Sequence, residues 1–408
     1  MELGTLLAAH TGTSSPENQT KSWTSVAGAW LGIGTSPGAL LLGAGIAARH
    51  QGPVPLLSLI LGFGLMFTLL WFQGHLGLVP PLGDGANLTK VSHLYFGERM
   101  QKWVGGAIAV GMTGWFGFNL GLGSAALGAL VGISQWAAVL VLGLPILALS
   151  LHGMKSWNWL AALTTLSVLV LIVLVVTQLG ALAAPVTLSA DNPANIVADM
   201  AVIVGYVSVF LVRAPDFTVG LTTRRDLAIV GLMVCAPMLI PLLAGIDLRQ
   251  GTGKDDIVAS LAQPNGLAIG NLLIALAVIA PTFTTLYSGV PALRAATDLS
   301  DGAAIVIIAV VGMALAMARF DLWLLSWLGI IAAILPPLII PLAFESRARR
   351  LGRAARCVPI WVWLAGAIAS LSMTLAHQPL ALLAGLFVST GATMIWYWTY
   401  PGKQMAVR

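Results

Sequence analysis

Long apolar stretches alternate with short polar ones along this chain. Two of them, 160–182 and 322–344, contain no charged residue over a length that matches the roughly 20 residues needed to cross a bilayer. A water-soluble core would require a polar side on each element, and these stretches have none. Because lipid offers no partner to a free backbone group, such segments must be helical.

The pattern predicts an all-α integral membrane protein with twelve transmembrane helices. They are named the first to the twelfth span in chain order. Their expected bounds are 25–48, 54–77, 103–131, 136–153, 157–183, 196–214, 227–246, 266–291, 302–318, 322–344, 359–376 and 379–399.

Composition and charge agree with a polytopic membrane protein. Of the 408 residues 58% are hydrophobic and 9% are charged, whereas about a quarter are charged in soluble domains. With the N-terminus inside, fifteen of the 20 Lys and Arg residues lie in inner loops and tails, and the outer loops hold only Arg49, Arg249, Lys254 and Arg319. The positive-inside rule then predicts a protein of the cell (inner) membrane with both termini cytoplasmic.

The polar segments outside the spans contain few candidate functional residues. Residues 1–24 read as a disordered cytoplasmic tail without a signal sequence, and 400–408 as a second cytoplasmic tail. The segment 346–358 is a basic cytoplasmic loop. Because it has no interleaved aromatics, we expect it to set orientation within the bilayer and to bind no nucleic acid. Cys235 and Cys357 have neither metal-ligand spacing nor a disulfide framework.

The first span contains a helix-breaking stretch at its middle. Gly34, Thr35, Ser36 and Pro37 follow one another there, and proline removes a donor while glycine eases unusual dihedrals. The break frees backbone groups, such as the carbonyl of Ile33, that can hold a substrate or a cation at the midplane. A simple packing kink is the alternative.

The third span carries Trp115 and Asn119, four residues apart and therefore on one helix face. An aromatic face stacks on a planar ring for about 0.5–1.5 kcal/mol beyond burial, so Asn119 would have to read the ring edge. The alternative is a packed Trp with an interhelical Asn hydrogen bond.

The sixth span alternates aromatic and hydroxyl side chains at Tyr206, Ser208 and Phe210, which are candidates for a cavity wall. Arg213 and Asp216 follow at its inner end, where we expect them to pair as a structural or gating clasp.

The eighth span is rich in hydroxyls around Pro281. Thr282, Thr284 and Thr285 suit sodium, a hard cation that takes oxygen ligands, although such side chains also bond their own helix. The spans lack the embedded carboxylate pair, His cluster or Cys cluster that a buried proton relay or a membrane enzyme would need.

Taken together, these stretches resemble the nucleobase:cation symporter-1 family, which includes cytosine permease and the hydantoin transporter. The stretch 114–117 reads Gly-Trp-Phe-Gly, 204–205 Val-Gly is followed by 216–217 Asp-Phe, and 329–337 runs through apolar residues into a double proline. The resemblance covers most of 25–345.

The resemblance implies a core of two inverted five-helix repeats, 25–183 and 196–345, with the first and sixth helices broken, followed by two accessory helices over 359–399. It places Trp115 on the base-stacking Trp of the family. Asn119 falls on a position that is an amide in the hydantoin transporter but a glycine in cytosine permease. Two registers of the eighth span compete, and only the one aligned by the double threonine puts Thr284 and Thr285 at the sodium-binding hydroxyls.

The expected function is a secondary symporter, not an enzyme, that imports a planar nitrogen heterocycle. A pyrimidine-like or cytosine-like nucleobase and a vitamin-precursor ring are the candidates, with Na+ or H+ as coupling ion and no other cofactor. An amino-acid permease on the same fold is the alternative, and a membrane-embedded enzyme the least favoured one. The partners are the substrate and the lipid bilayer, and the oligomeric state stays open.

Overall fold

The computed structural model describes residues 20–50, 52–152, 158–179, 185–189, 192–262, 268–353 and 355–399. Most of the expected N-terminal tail and all of the C-terminal tail, 400–408, lie outside the described residues. Residues 20–24 contact the folded chain, since the Lys21 amide donates to the Gly220 carbonyl at 2.7 Å. A short 3-10 helix, Trp23–Ser25, leads into the first span.

The described parts of the predicted spans are helical, as the apolar pattern predicts. The first six spans contain Ala27–Gly34 with Pro37–Arg49, Leu56–Gly74, Glu98–Val131, Gln135–His152, Asn158–Leu179, and Pro193–Val212 with Ala214–Thr218. The remaining six contain Arg224–Thr252, Ile269–Ala277 with Ile279–Ala296, Asp301–Met317, Leu324–Ile334 with Pro336–Arg350, Ile360–Leu375, and Ala381–Thr399.

Short elements connect the spans. These are helices Leu88–Phe96 and Ile257–Leu261, 3-10 helices His75–Gly77 and Phe320–Trp323, and strands Val54–Pro55 and Val186–Thr187, which pair in parallel.

Within the described residues, nine helical segments are long and apolar enough to cross a membrane. Three shorter apolar helices, Ala162–Gln178, Asp301–Met317 and Ile360–Leu375, lie at the positions of the predicted fifth, ninth and eleventh spans. Each predicted span therefore has a helical counterpart, and the number of twelve crossings remains a prediction.

The largest buried cluster joins the first, second, third, sixth, seventh and tenth spans. A second cluster around Phe116 joins the third span to the fourth, eighth and ninth. Glycines bring the first and seventh spans into backbone contact, because a Cβ atom on Gly43 would overlap the Leu242 carbonyl and one on Gly245 would overlap the Leu40 carbonyl. Small residues permit such approach in membrane helices.

Exposed tryptophans lie near the ends of the spans. Trp103 begins the third span and Trp398 ends the twelfth, on the expected inner side, while Trp136 and Trp323 begin the fourth and tenth spans on the expected outer side. Trp is enriched at membrane–water interfaces. The pattern matches two aromatic belts around the helical bundle.

Of the four buried carboxylates in the described chain, Asp199, Asp321 and Glu345 each pair with an arginine near a span end, whereas Asp247 Oδ2 has no hydrogen-bond partner there. Asp199 accepts from Arg49 at 2.8 Å and lies 2.9 Å from His50 Nε2. Asp321 pairs with Arg319 at 2.9 Å, and Glu345 with Arg349 at 2.7 Å. Pairing offsets the cost of burying charge.

The basic segment after the tenth span is partly helical, since Pro336–Arg350 extends into it. It is also tied to the inner surface: Arg349 donates to the Leu94 carbonyl and its guanidinium lies 4.2 Å from the centre of the Tyr95 ring. Tyr95 donates to Asp84 at 2.6 Å, and Ser346 donates to the same carboxylate at 3.1 Å. Burial, and then the neighbouring Asp84, raises the pKa of the Tyr95 hydroxyl, which keeps it a donor.

Candidate functional site

The first span is interrupted where its sequence predicts. Helix Ala27–Gly34 ends at Thr35, whose amide and hydroxyl both donate to the Leu31 carbonyl at 2.9 Å. Ser36 has extended backbone angles and caps the next helix by accepting from the Gly38 amide, with Pro37 at its first position. Proline at that position costs no hydrogen bond. The predicted break is thus confirmed at Thr35 and Ser36.

The glycines flanking the break contact different neighbours. A Cβ atom on Gly34 would lie 2.8 Å from the Val234 carbonyl oxygen of the seventh span. One on Gly38 would lie 3.1 Å from the rings of both Phe118 and Tyr206. Gly34 thus lets the first and seventh spans pack closely, whereas Gly38, which was not among the candidates predicted from sequence, faces the third and sixth spans.

Trp115 is buried where the first, third and sixth spans meet. Its ring is perpendicular to that of Tyr206, with centroids 5.2 Å apart, and perpendicular to that of Phe118 at 5.3 Å. Its indole nitrogen has no hydrogen-bond partner among the described residues. The candidate Trp115 and Tyr206 are therefore brought together, and Phe118, three residues after Trp115, completes the aromatic group.

The polar atoms beside this aromatic group come from the break. The Tyr206 hydroxyl interacts with the Ser36 side chain and the Ala39 backbone. Ser36, Tyr206 and Trp115 are each more than nine-tenths buried. The Trp115 ring, the Tyr206 hydroxyl and the Ser36 hydroxyl thus lie near the N-terminal end of helix Pro37–Arg49.

The other sixth-span candidates divide between two helix faces. The helix is continuous through this region and is interrupted only at Arg213, near its inner end. Phe210 follows Tyr206 by four residues and shares its face. Ser208 lies on the other side, fully buried, and donates to the Val204 carbonyl at 2.8 Å.

The eighth-span threonines differ in their exposure. Thr282 and Thr285 are buried, whereas Thr284 is exposed. Each hydroxyl donates to a carbonyl of its own helix, at 2.6 Å for Thr282, 2.9 Å for Thr284 and 2.8 Å for Thr285. The eighth span packs mainly on the third, ninth, fourth and fifth spans.

Asn119 is buried one turn from Trp115. Its amide nitrogen donates to the Trp115 carbonyl at 2.9 Å, and its oxygen has no partner within the described part of the chain. An unpaired buried amide oxygen carries a desolvation cost of about 1–3 kcal/mol.

Arg213 and Asp216 form a buried pair at the inner end of the sixth span. Arg213 Nε lies 2.9 Å from Asp216 Oδ2, and Arg213 Nη1 donates to the Ser288 carbonyl at 3.3 Å. Asp216 Oδ1 accepts from the Leu88 amide at 2.8 Å. The pair therefore joins the sixth span to the eighth span and to helix Leu88–Phe96.

A cavity of about 50 Å³ adjoins this pair, with Ser92 and Gln101 also in its wall. That is room for a few water molecules. The described residues contain no cluster of three or more His, Cys, Asp or Glu side chains that could hold a metal ion.

Solved structures share this fold. Mhp1 in an inward-facing conformation aligns with a TM-score of 0.69 at 16% identity, over 95% of this chain and 94% of that one. Mhp1 in a closed conformation with bromovinylhydantoin bound is described as a nucleobase-cation-symport-1 family transporter. It aligns with a TM-score of 0.66 at 16% identity, over 95% of this chain and 97% of that one. A substrate-bound, outward-open Na+-coupled sialic acid symporter aligns with a TM-score of 0.64 at 13% identity, over 99% of this chain and 97% of that one.

No family model and no curated protein sequence matches the chain. The structural likeness establishes the fold expected from the sequence, that of ten-helix-core transporters with accessory helices.

Proposed function

We propose that the protein is a secondary symporter of the nucleobase:cation symporter family that takes up a planar nitrogen heterocycle together with a cation. The observation that carries this proposal is the meeting of Trp115, Tyr206 and Gly38 beside the break in the first span. A break at this depth is where transporters of this architecture bind substrate. The fold shared with solved transporters agrees with it.

The substrate wall combines an aromatic platform with a few polar groups. Trp115 supplies the stacking face, with Tyr206 and Phe210 on the facing side of the sixth span. Gly34, Thr35 and Ser36 supply backbone and hydroxyl groups from the break. Stacking alone gives about 0.5–1.5 kcal/mol. The polar groups at the ring edge therefore set the choice of ring.

Sodium fits the available groups better than a proton does. The buried carboxylates Asp199, Asp321 and Glu345 pair with arginine at span ends, and the fourth, Asp247, lies near the outer end of the seventh span. None of the four belongs to the first, third or eighth span. Neutral oxygens from Thr282, Thr284 and Thr285, with the Ile33 carbonyl, are the ligand type that a hard cation takes. One charge crossing 100 mV contributes about 2.3 kcal/mol, or roughly a 50-fold concentration ratio.

Transport would proceed by movement of the repeats 25–183 and 196–345 around the central site. The Arg213–Asp216 pair would act as an inner clasp, because it joins the sixth span to the eighth span and to helix Leu88–Phe96. The chain would lie in the cell membrane with both termini cytoplasmic.

A ligand screen on the purified full-length protein tests this function. Nucleobases, hydantoins, thiamine precursors and amino acids are added with sodium chloride or choline chloride, and the thermal midpoint is measured. A planar heterocycle should raise the midpoint, because a ligand that binds only the folded state stabilises it.

The Trp115→Ala variant should lose this shift while remaining folded. Trp103→Ala, a change at an exposed Trp in the same span, is the matched control and should retain it. A shift that survives in Trp115→Ala contradicts the stacking role. A shift produced by amino acids alone would support the amino-acid permease instead.

A further inference from the structure

The inner ends of the tenth and twelfth spans are tied together by one buried carboxylate. Glu345 accepts from Arg349 Nε at 2.7 Å, from the Arg356 amide at 2.9 Å and from the Tyr397 hydroxyl at 2.7 Å. The rings of Phe344 and Tyr397 also meet, with centroids 5.2 Å apart. The basic segment after the tenth span is therefore held against the end of the twelfth.

The end of the tenth-span helix fixes the position of the next arginine. The helix stops at Gly352, whose φ of 76° lies in the left-handed region. The Gly352 amide donates to the Arg349 carbonyl at 3.0 Å and the Arg353 amide to the Ala348 carbonyl at 3.1 Å, which is the Schellman arrangement. Arg353 is also close enough to interact electrostatically with the Tyr397 hydroxyl.

An exposed stripe runs along the same helix end. Phe344, Arg347 and Leu351 are spaced by three and four residues and therefore share a helix face. Phe344 is 37% exposed, Leu351 69%, and Trp398 at the end of the twelfth span 86%. Large apolar and Trp side chains at a span end mark the membrane–water interface. The Arg347 stem can lie along this apolar surface, with its guanidinium at the level of the lipid headgroups.

Positive charge is in excess at this surface. Segment 345–358 contains five arginines and one carboxylate, Glu345. Three of the arginines have acceptors within the protein, namely Arg349, Arg350 and Arg356. The exposed guanidinium groups of Arg347 and Arg353 make no hydrogen bond or ion pair with other described residues. Basic groups at the cytoplasmic end of membrane helices attract anionic lipids.

We propose that Arg347 and Arg353 bind the phosphate of an anionic phospholipid in the expected inner leaflet, with its acyl chains along the exposed face that carries Phe344. The planar guanidinium matches a phosphate with two parallel hydrogen bonds. A zwitterionic headgroup brings its own ammonium and neutralises less of the excess charge, so a lipid of net negative charge is preferred. The bound lipid would join the tenth span to the accessory twelfth span, whichever solute the core transports.

Lipid titration of the purified full-length protein in a neutral detergent tests the site. Phosphatidylglycerol or phosphatidylcholine is added, and the thermal midpoint is measured, because a lipid that binds the folded state raises it. Phosphatidylglycerol should act at the lower concentration. Arg347→Gln with Arg353→Gln should raise its half-maximal concentration about tenfold. The midpoint without lipid should not change, since both side chains are exposed and unpaired among the described residues.

Two further double variants serve as controls. Lys102→Gln with Arg225→Gln removes the same charge from exposed positions on the expected inner side, at the starts of the third and seventh spans. It should keep the response to phosphatidylglycerol. Arg347→Lys with Arg353→Lys keeps the charge but loses the planar fork, so its affinity should lie between those of the unchanged protein and the glutamine variant.

Arg353→Gln alone covers the case in which the double glutamine variant does not fold, because this residue lies beyond the helix. It should weaken phosphatidylglycerol binding severalfold, and an unchanged affinity contradicts the site.

Three results overturn the lipid site. Equal responses to phosphatidylglycerol and phosphatidylcholine show no preference for negative charge. An equal loss in the two double glutamine variants shows an effect of general surface charge. Inorganic phosphate that reproduces the shift at the same concentrations shows an anion site that does not need a lipid. A loss confined to the Arg347 and Arg353 variants, with no effect of inorganic phosphate, supports it.

Discussion

At the scale of single residues, Trp115 and Tyr206 carry different parts of the proposed substrate wall. Their rings meet at right angles, and the Tyr206 hydroxyl reaches the first-span break through Ser36. The ring of Tyr206 therefore packs on the platform, while its hydroxyl holds the break in place. The two contributions can be separated because phenylalanine retains the ring.

Tyr206→Phe should weaken heterocycle binding about twofold to tenfold, since one net hydrogen bond contributes about 0.5–1.5 kcal/mol. Tyr206→Ala should weaken binding further, because it also removes the ring from Trp115. Ligand titrations followed by the thermal midpoint measure both variants. Equal affinities in Tyr206→Phe and the unchanged protein would show that the hydroxyl has no role in binding.

At the scale of elements, the first span is positioned by backbone contact with the seventh. A Cβ atom on Gly43 would overlap the Leu242 carbonyl, which belongs to the backbone and cannot rotate away. The close backbone contact holds the first span against the seventh and so positions the break.

Gly43→Ala should destabilise the protein by about 1–3 kcal/mol, the usual cost of overpacking a close contact. Gly64→Ala in the second span is the matched control, because a Cβ atom there would have no neighbour within 4 Å. That change should be neutral or slightly stabilising, since alanine favours the helix by about 0.5–1 kcal/mol. The thermal midpoints of the two variants are compared, and equal midpoints would contradict the contact.

The Arg213–Asp216 pair connects elements at the inner side. Asp216→Ala leaves Arg213 buried beside the Ser288 carbonyl without its carboxylate partner. Removing one partner of a buried ion pair lowers the stability of the folded protein by about 3–5 kcal/mol. Replacing both residues, Arg213→Met with Asp216→Leu, should cost less than the single change. Thermal midpoints of the single and double variants decide this. A double variant less stable than Asp216→Ala would show that each residue acts through other partners.

At the scale of the whole molecule, the distribution of basic residues predicts the orientation, and the aromatic belts mark both membrane surfaces. The basic segment after the tenth span lies on the expected inner side, as do the exposed Trp103 and Trp398. The two cysteines offer a native reporter of orientation, because Cys357 is exposed near the end of this segment and Cys235 is buried.

A membrane-impermeant maleimide should label Cys357 in inside-out vesicles and leave right-side-out vesicles unlabelled. The reagent needs an accessible thiol, so Cys357→Ser should abolish labelling and Cys235→Ser should not. Mass spectrometry of the labelled protein provides the measurement. Labelling of Cys357 from the outside would reverse the predicted topology.

The chain by itself predicted the helical segments and the break in the first span, which the structure confirms, and it identified candidate functional residues on the third, sixth and eighth spans. These features follow from local rules: length against bilayer thickness, proline after a serine cap, and residue type. Trp115 and Tyr206 were therefore identifiable as candidates before any contact was known.

Only the tertiary structure decided which helix faces meet. A span that is apolar on all sides carries no polar face to mark its orientation, because lipid and protein core are both apolar. For this reason the sequence did not indicate that Gly38 faces Tyr206 or that Asp199 pairs with Arg49 from 150 residues away. Packing between helices decides these contacts, and it determines which candidate side chains can act on one ligand.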